Sequence, residues 1–195
     1  MPAWATRVDD VRRRDTTTRA VSQRAVDAPR ARKPLLLSIG IRDVEFGRNV
    51  RVIEPANLYR CRIGDDTFVG PFVEIQAGAN IGRRCRIQSH AFICDLVSIG
   101  DDCFVGHGVM FVNDTFASGG PAGGVRSKWR ATRVGNRVSI GSNATILPVS
   151  ITDNVVIGAG AVVTKDLSIS GIYAGNPARL IRTLEREVLD EDSVS

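Results

Sequence analysis

No apolar run in the 195 residues approaches the ~18 that a membrane-spanning helix needs. The N-terminus carries charge but no apolar h-region, so it does not read as a secretory signal, and a cytoplasmic protein is the expectation. The four cysteines form no C-x-x-C pair, which leaves a zinc cluster without support. There are only two histidines, and no metal is expected. An excess of basic charge is also missing from most of the chain. The net charge is +5, yet residues 1–33 hold nine Lys/Arg and four Asp/Glu, leaving seventeen of each for the remainder. The repeat-bearing part is therefore neutral, and no nucleic-acid partner is expected. Residues 1–40, polar and without sustained periodicity, read as a basic disordered leader. A tail that grips phosphates is the alternative.

What the chain does have is a six-residue period. From Ile63 to Phe116 it divides into IGDDTF, VGPFVE, IQAGAN, IGRRCR, IQSHAF, ICDLVS, IGDDCF, VGHGVM and FVNDTF. The first position is always Ile, Val or Phe, and the fifth is always Thr, Val, Ala or Cys. The pattern extends upstream to Phe46 and, after a break, downstream from Val134 to Val163, with one-residue-short steps at Leu58–Ile63 and Ile146–Ile151. A helix would space its apolar residues by 3.6, so six excludes it. Short β-branched runs punctuated by Gly and Asp predict short strands joined by turns. Three blocks make one triangular coil and eighteen blocks about six coils, each burying its neighbour. Strands would stack ~4.8 Å apart.

The β-helix is expected over residues 41–170. The Gly-rich excursion at about 117–132, carrying Trp129, is long enough to read as functional. Residues 171–195 form a C-terminal extension in which Pro177 could open a helix, with Leu180, Ile181, Leu184 and Val188 on one face, capping the column.

The eighteen-residue period acts as a ruler. Cys85 and Cys103 stack above Thr67 as small interior groups. His107 lies over Ser89 and His90 under Gly108, so the two histidines share one corner on neighbouring coils. Asn113 lies over Asp95 at the next corner, with Asp114 beside it. Each of these residues could simply cap a turn, but their gathering beside the long loop points to a site.

The six-residue pattern resembles the hexapeptide acyltransferases, which implies an all-β fold: a single-stranded left-handed parallel β-helix with an inserted loop and a short C-terminal helix. The hand comes from the resemblance. More specifically, VGPFVEIQAGANIG, IQSHAFIC, FVGHGVMFVND, SIGSNATILP, GAGAVVTKD and AGNPARLI resemble the nucleotide-sugar N-acetyltransferases that acylate a 3-amino group. Their acceptors are UDP-linked 2-acetamido-3-amino uronic acids or dTDP-linked 3-amino-dideoxy hexoses. The similarity covers roughly residues 45–183.

This resemblance implies acetyl-CoA as co-substrate, a nucleotide-linked amino sugar as acceptor, and a homotrimer with the coenzyme in the cleft between columns. It implies catalytic roles for Asp95 and Asn113, which reach the sugar amine. Asp95 stands where the family usually has Glu, one methylene longer. His90 or His107 is a candidate general base, since imidazole titrates near neutrality. A backbone N–H at a coil turn is the natural oxyanion donor. Gln88, Glu74, Asp114 and Trp129 are assigned to acceptor binding. Gly141, Ser142, Ala144, Ala159 and Ala161 are assigned to the pantetheine track, with Lys165 and Arg179 near the phosphates.

Three rival readings share the fold. A hexapeptide acyltransferase could act on a hydroxyl sugar, serine or an antibiotic. A γ-carbonic-anhydrase-like metalloprotein needs three histidines in its site, one more than the chain contains. A non-catalytic scaffold would not need Asp95, Asn113 and both histidines on adjoining corners.

Overall fold

The computed structural model describes residues 37–184. Most of the expected leader, and the end of the C-terminal extension beyond Leu184, lie outside the described residues.

Short strands stack into three parallel sheets, one for each side of a triangular column. The first side runs Ile41–Arg42, Asn57–Tyr59, Glu74–Ile75, Phe92–Ile93, Met110–Phe111, Thr145–Ile146 and Val162–Val163. The second runs from Glu45–Phe46 through Arg62–Ile63, Asn80–Ile81, Val97–Ile99 and Thr132–Val134 to Ser150–Ile151. The third begins at Arg51–Val52 and passes through Phe68–Val69, Arg86–Ile87, Phe104–Val105, Ser139–Ile140 and Val155–Ile157 to Gly171–Ala174. The fold is an all-β parallel β-helix, consistent with the left-handed winding that the resemblance implies. It has about seven coils where the repeat predicts about six, because Ile41–Arg42 adds a strand before Phe46 and Gly171–Ala174 adds one after Val163.

The repeat explains the packing. Each first-position aliphatic points inward, so Ile63, Ile75, Ile81, Ile87 and Ile93 are fully buried in one continuous core. The small fifth position fits the narrow interior beside a corner. Thr67, Cys85 and Cys103 stack there, with the Cys85 backbone N–H donating to Thr67 Oγ1 at 3.0 Å. Each cysteine thiol donates to a carbonyl of the next coil, Cys85 to Gly100 O and Cys103 to Gly135 O, both at 3.1 Å. All four cysteines are free and buried.

The ruler also holds. Glu74, Phe92 and Met110 pair in successive strands. Asn57 pairs with Glu74, and Thr145 with Val162, across intervals shortened by the two short steps seen in the sequence. Met110 pairs directly with Thr145, so the Gly-rich excursion is an insertion that leaves the stacking above and below it continuous.

The C-terminal segment departs from expectation. Arg179–Thr183 is a strand, antiparallel to Gly171–Ala174, rather than part of a helix starting at Pro177. Gly171–Ala174 would otherwise leave an unpaired sheet edge, and a strand satisfies its backbone groups where a helix could not. The strand's five residues are all exposed, so the apolar helical face had no core to pack on.

Candidate functional site

Two corners flank the first side of the column. One lies between the third and first sides. There His107 stands over Ser89, with 2.7 Å between Ser89 Oγ and His107 Nδ1. His90 adopts a left-handed backbone (φ 64°) and stacks its ring on Phe72 one coil below, at 4.9 Å between centroids and 14° between planes. Both histidines are exposed. They occupy one corner, as the ruler places them.

The next corner carries Asp95 and Asn113. Asn113 Nδ2 donates to the Asp95 backbone carbonyl at 3.2 Å, which fixes the amide and leaves its Oδ1 without a partner among the described residues. The Asp95 side chain is only 12% exposed. Its Oδ1 accepts the Leu96 N–H at 2.7 Å. Arg126, from the inserted loop, completes its partners: Nε donates to Oδ2 at 2.6 Å and a terminal nitrogen to Oδ1 at 3.1 Å. That bidentate bond raises the Arg126 pKa. Gly78 makes room beneath: a Cβ there would lie 2.5 Å from Asp95 Oδ1, and its φ of +81° disfavours any side chain.

The two corners are one triangle side apart, at most about 20 Å for the six residues from His107 to Asn113. No hydrogen bond joins either histidine to Asp95 or Asn113 among the described residues. Within one column the four residues thus form two pairs.

Asp114 anchors the loop. Its carboxylate accepts the backbone N–H of Phe116 at 3.0 Å and of Ala122 at 2.6 Å, and these bonds hold its pKa below the usual value. Half-buried Trp129 walls a cavity of about 350 Å³ within the loop, together with Asp114, Ser127, Lys128 and Arg130. Glu74 is half-buried on the first side and accepts Gln76 Nε2 at 2.9 Å. Gln88 is half-buried at the histidine corner, and its side chain makes no hydrogen bond among the described residues.

The residues assigned to the coenzyme divide into two sets. Ser142 and Gly141 lie at the corner one coil above His107, where the His107 carbonyl accepts the Asn143 N–H. Ala159 is exposed one coil higher, and space is open above neighbouring Gly160. Lys165 and Arg179 are exposed and make no ion pair among the described residues. Ala144 and Ala161 are a correction. Both side chains are fully buried, and their carbonyls accept the ladder bonds from Met110 and Thr145. They serve the core, and no surface for a ligand remains on them.

Arg126, Ser89 and Gly78 were not identified from the sequence. A signal for Arg126 existed. Asp65, Asp101 and Asp102 each pair with an arginine one coil below, Arg48, Arg83 and Arg84. The ruler gives Asp95 only Ala77 below and Asn113 above, so its cation had to come from outside the repeat.

Comparison with known families agrees with this architecture. Residues 60–95 match the bacterial transferase hexapeptide (six repeats), and residues 96–110 and 131–165 match the hexapeptide repeat of succinyl-transferase. The bifunctional protein GlmU of Acidithiobacillus ferrooxidans is 30% identical across 81% of this chain and 40% of its own length, so the chain spans well under half of that relative. The galactoside O-acetyltransferase of Escherichia coli is 36% identical over 67% of this chain and 65% of its own. A solved galactoside acetyltransferase in complex with coenzyme A superposes with a TM-score of 0.52 at 30% identity, covering 63% of this chain and 64% of that one. AntD, an N-acyltransferase from Bacillus cereus solved with dTDP and coenzyme A, shares the fold with a TM-score of 0.57 at 20% identity, over 76% of this chain and 88% of that one. The chain thus carries the hexapeptide repeat of bacterial transferases and is similar to acetyltransferases built on it.

Proposed function

We propose that the protein transfers an acetyl group from acetyl-CoA to the 3-amino group of a nucleotide-linked sugar. The observation that carries this reading is the corner pair: a nearly buried carboxylate, Asp95, beneath an amide, Asn113, whose Oδ1 has no partner among the described residues, with the next residue, Asp114, lining the loop cavity that Trp129 walls. Two acceptors converging there suit a group with hydrogen-bond donors to give, such as an amine. Asp95 accepts a hydrogen bond from the amine, and Asn113 Oδ1 aligns it so that its lone pair faces the thioester carbon. As the C–N bond forms and the C–S bond breaks, the amine proton leaves and the departing thiolate takes it. No strong protein base is then needed at this corner.

The surfaces at Gly141, Ser142 and Ala159 suit a pantetheine arm, because small residues let it approach the backbone. Exposed Lys165 and Arg179 suit its phosphates. The kinship to acetyltransferases supports this co-substrate.

A homotrimer is part of the same proposal. Phe92 and Met110 project from the first side, between the two corners, and Phe72 is exposed beside His90. Packing a second column there would cover apolar surface and bring a second set of corners to the cleft.

One observation favours a second reading, O-acetylation of a sugar hydroxyl. If Nδ1–H of His107 donates to Ser89 Oγ, the exposed Nε2 keeps its lone pair and can serve as a base for a hydroxyl. The galactoside relative is named for O-acetyl transfer.

Turnover of acetyl-CoA against a panel of nucleotide-linked amino sugars, with their hydroxyl counterparts and mass spectrometry of the product, separates the two. The proposal expects N-acetylated product. Acetylation confined to the hydroxyl counterparts would replace it with the second reading.

A further inference from the structure

The acceptor position proposed above is already filled by part of the chain. A carboxylate offers about four lone-pair sites. Leu96 N–H takes one on Asp95 and the Arg126 guanidinium takes two. A planar cation with fixed N–H donors therefore lies where the proposed acceptor's nitrogen would bind.

The segment that carries this cation is built to move. Asp114 holds Ala122 on one side, and the Asn113 carbonyl holds the Arg130 N–H on the other. Between these anchors the hydrogen bonds are local turns: Val125 N–H to Ala122 O, Lys128 N–H to Val125 O and Trp129 N–H to Arg126 O. The 3₁₀ turn Arg126–Lys128 buries none of its residues. Gly123 and Gly124 precede it, both with left-handed φ (62° and 80°) and open space around them. Among the described residues, the two Arg126–Asp95 bonds are the only side-chain hydrogen bonds from 123–129 to the coils.

We propose that Arg126 is a displaceable clasp: it occupies the acceptor-amine position on Asp95 and keeps segment 123–129 closed over that corner until an acceptor takes its place. The carboxylate stays paired in either state, which matters because a buried charge left alone is costly. An acceptor must bind the open state, so its apparent affinity is reduced by the fraction of open molecules. This inference rests on the proposed acceptor site, but its first test does not.

That test is hydrogen–deuterium exchange of the full chain, wild type against Arg126→Ala and Asp95→Asn, read on peptides from 117–132. Both substitutions should speed exchange at Val125, Lys128 and Trp129 at least several-fold, with the peptides of the coils below Asp95 unchanged. Arg126→Lys should restore part of the protection. Unchanged exchange in Arg126→Ala overturns the clasp, whatever the enzyme's acceptor proves to be. Kinetics follow on the amino-sugar nucleotide that turns over. Arg126→Ala should lower the acceptor KM roughly 3- to 10-fold and leave kcat within about 2-fold, as removal of a closed state requires. A raised KM or a large fall in kcat would mean that Arg126 holds the acceptor or shapes Asp95, and would overturn displacement. If no panel member turns over, the function fails while exchange still decides the clasp.

Discussion

Single side chains divide the labour at the Asp95 corner. Asn113 donates one amide hydrogen to a backbone carbonyl, so its orientation is set before any acceptor arrives. Asn113→Ala should remove that aligned acceptor at a cost of roughly 2–4 kcal/mol in the transition state, about 30- to 1000-fold in kcat/KM. Acetyl-CoA binding should persist, because the proposed coenzyme surfaces lie on later coils. Steady-state kinetics and coenzyme titration check both halves of this expectation, and near-normal turnover would remove Asn113 from the site. Gly78 offers a separate probe from below. Gly78→Ala puts a methyl 2.5 Å from Asp95 Oδ1 at a φ of +81°. The left-handed backbone alone costs roughly 1–2 kcal/mol for a residue with a Cβ, and the carboxylate must shift as well. The variant should melt earlier and show lower kcat/KM; unchanged activity would mean that Asp95 need not stay where it is.

Elements show why the sequence was informative and where it stopped being so. The strands, the corners, the interior cysteines and the shared corner of His90 and His107 all follow from a period that repeats coil after coil. Each coil reports on its neighbours, so one register fixes them all. Arg126 falls outside that logic because the inserted loop has no period, and thirty-one residues separate it from Asp95. The C-terminal strand was misread for a related reason. Leu180, Ile181 and Leu184 have helical spacing, but the decision belonged to the open edge of Gly171–Ala174. The strand pair leaves its own mark: Gly171 pairs with Thr183, and a Cβ on Gly171 would lie 2.6 Å from the Leu180 Cδ1 that reaches over it. Ala144 and Ala161 were misassigned because small residues serve both the narrow interior and an approach to ligand, and the sequence does not separate those uses.

For the whole molecule, stability should fall in alkali. Burial pushes the Cys61 thiol up to about 11 and the Cys94 thiol up to about 12, from an ordinary 9.0. A raised folded-state pKa means that the unfolded chain ionises first. The stabilisation is therefore complete below about pH 9 and is lost as pH rises through the folded values. Denaturant melts at about pH 8 and 10.5 should show this loss, and a Cys61→Ala/Cys94→Ala variant should lose less; equal losses would assign the alkaline limit to other groups. Assembly is the second expectation at this scale. Light scattering should report three times the 21.1 kDa chain mass. A fully active monomer would mean that one column completes the site alone. The central claim is amine acetylation at the Asp95–Asn113 corner. Thiol release from acetyl-CoA, measured with matched nucleotide sugars carrying a 3-amino or a 3-hydroxyl group, tests it most directly. The account predicts release with the amino sugar, little with its hydroxyl partner, and collapse of the amino-sugar rate in Asn113→Ala; equal rates on both sugars, or a rate indifferent to Asn113, would contradict it.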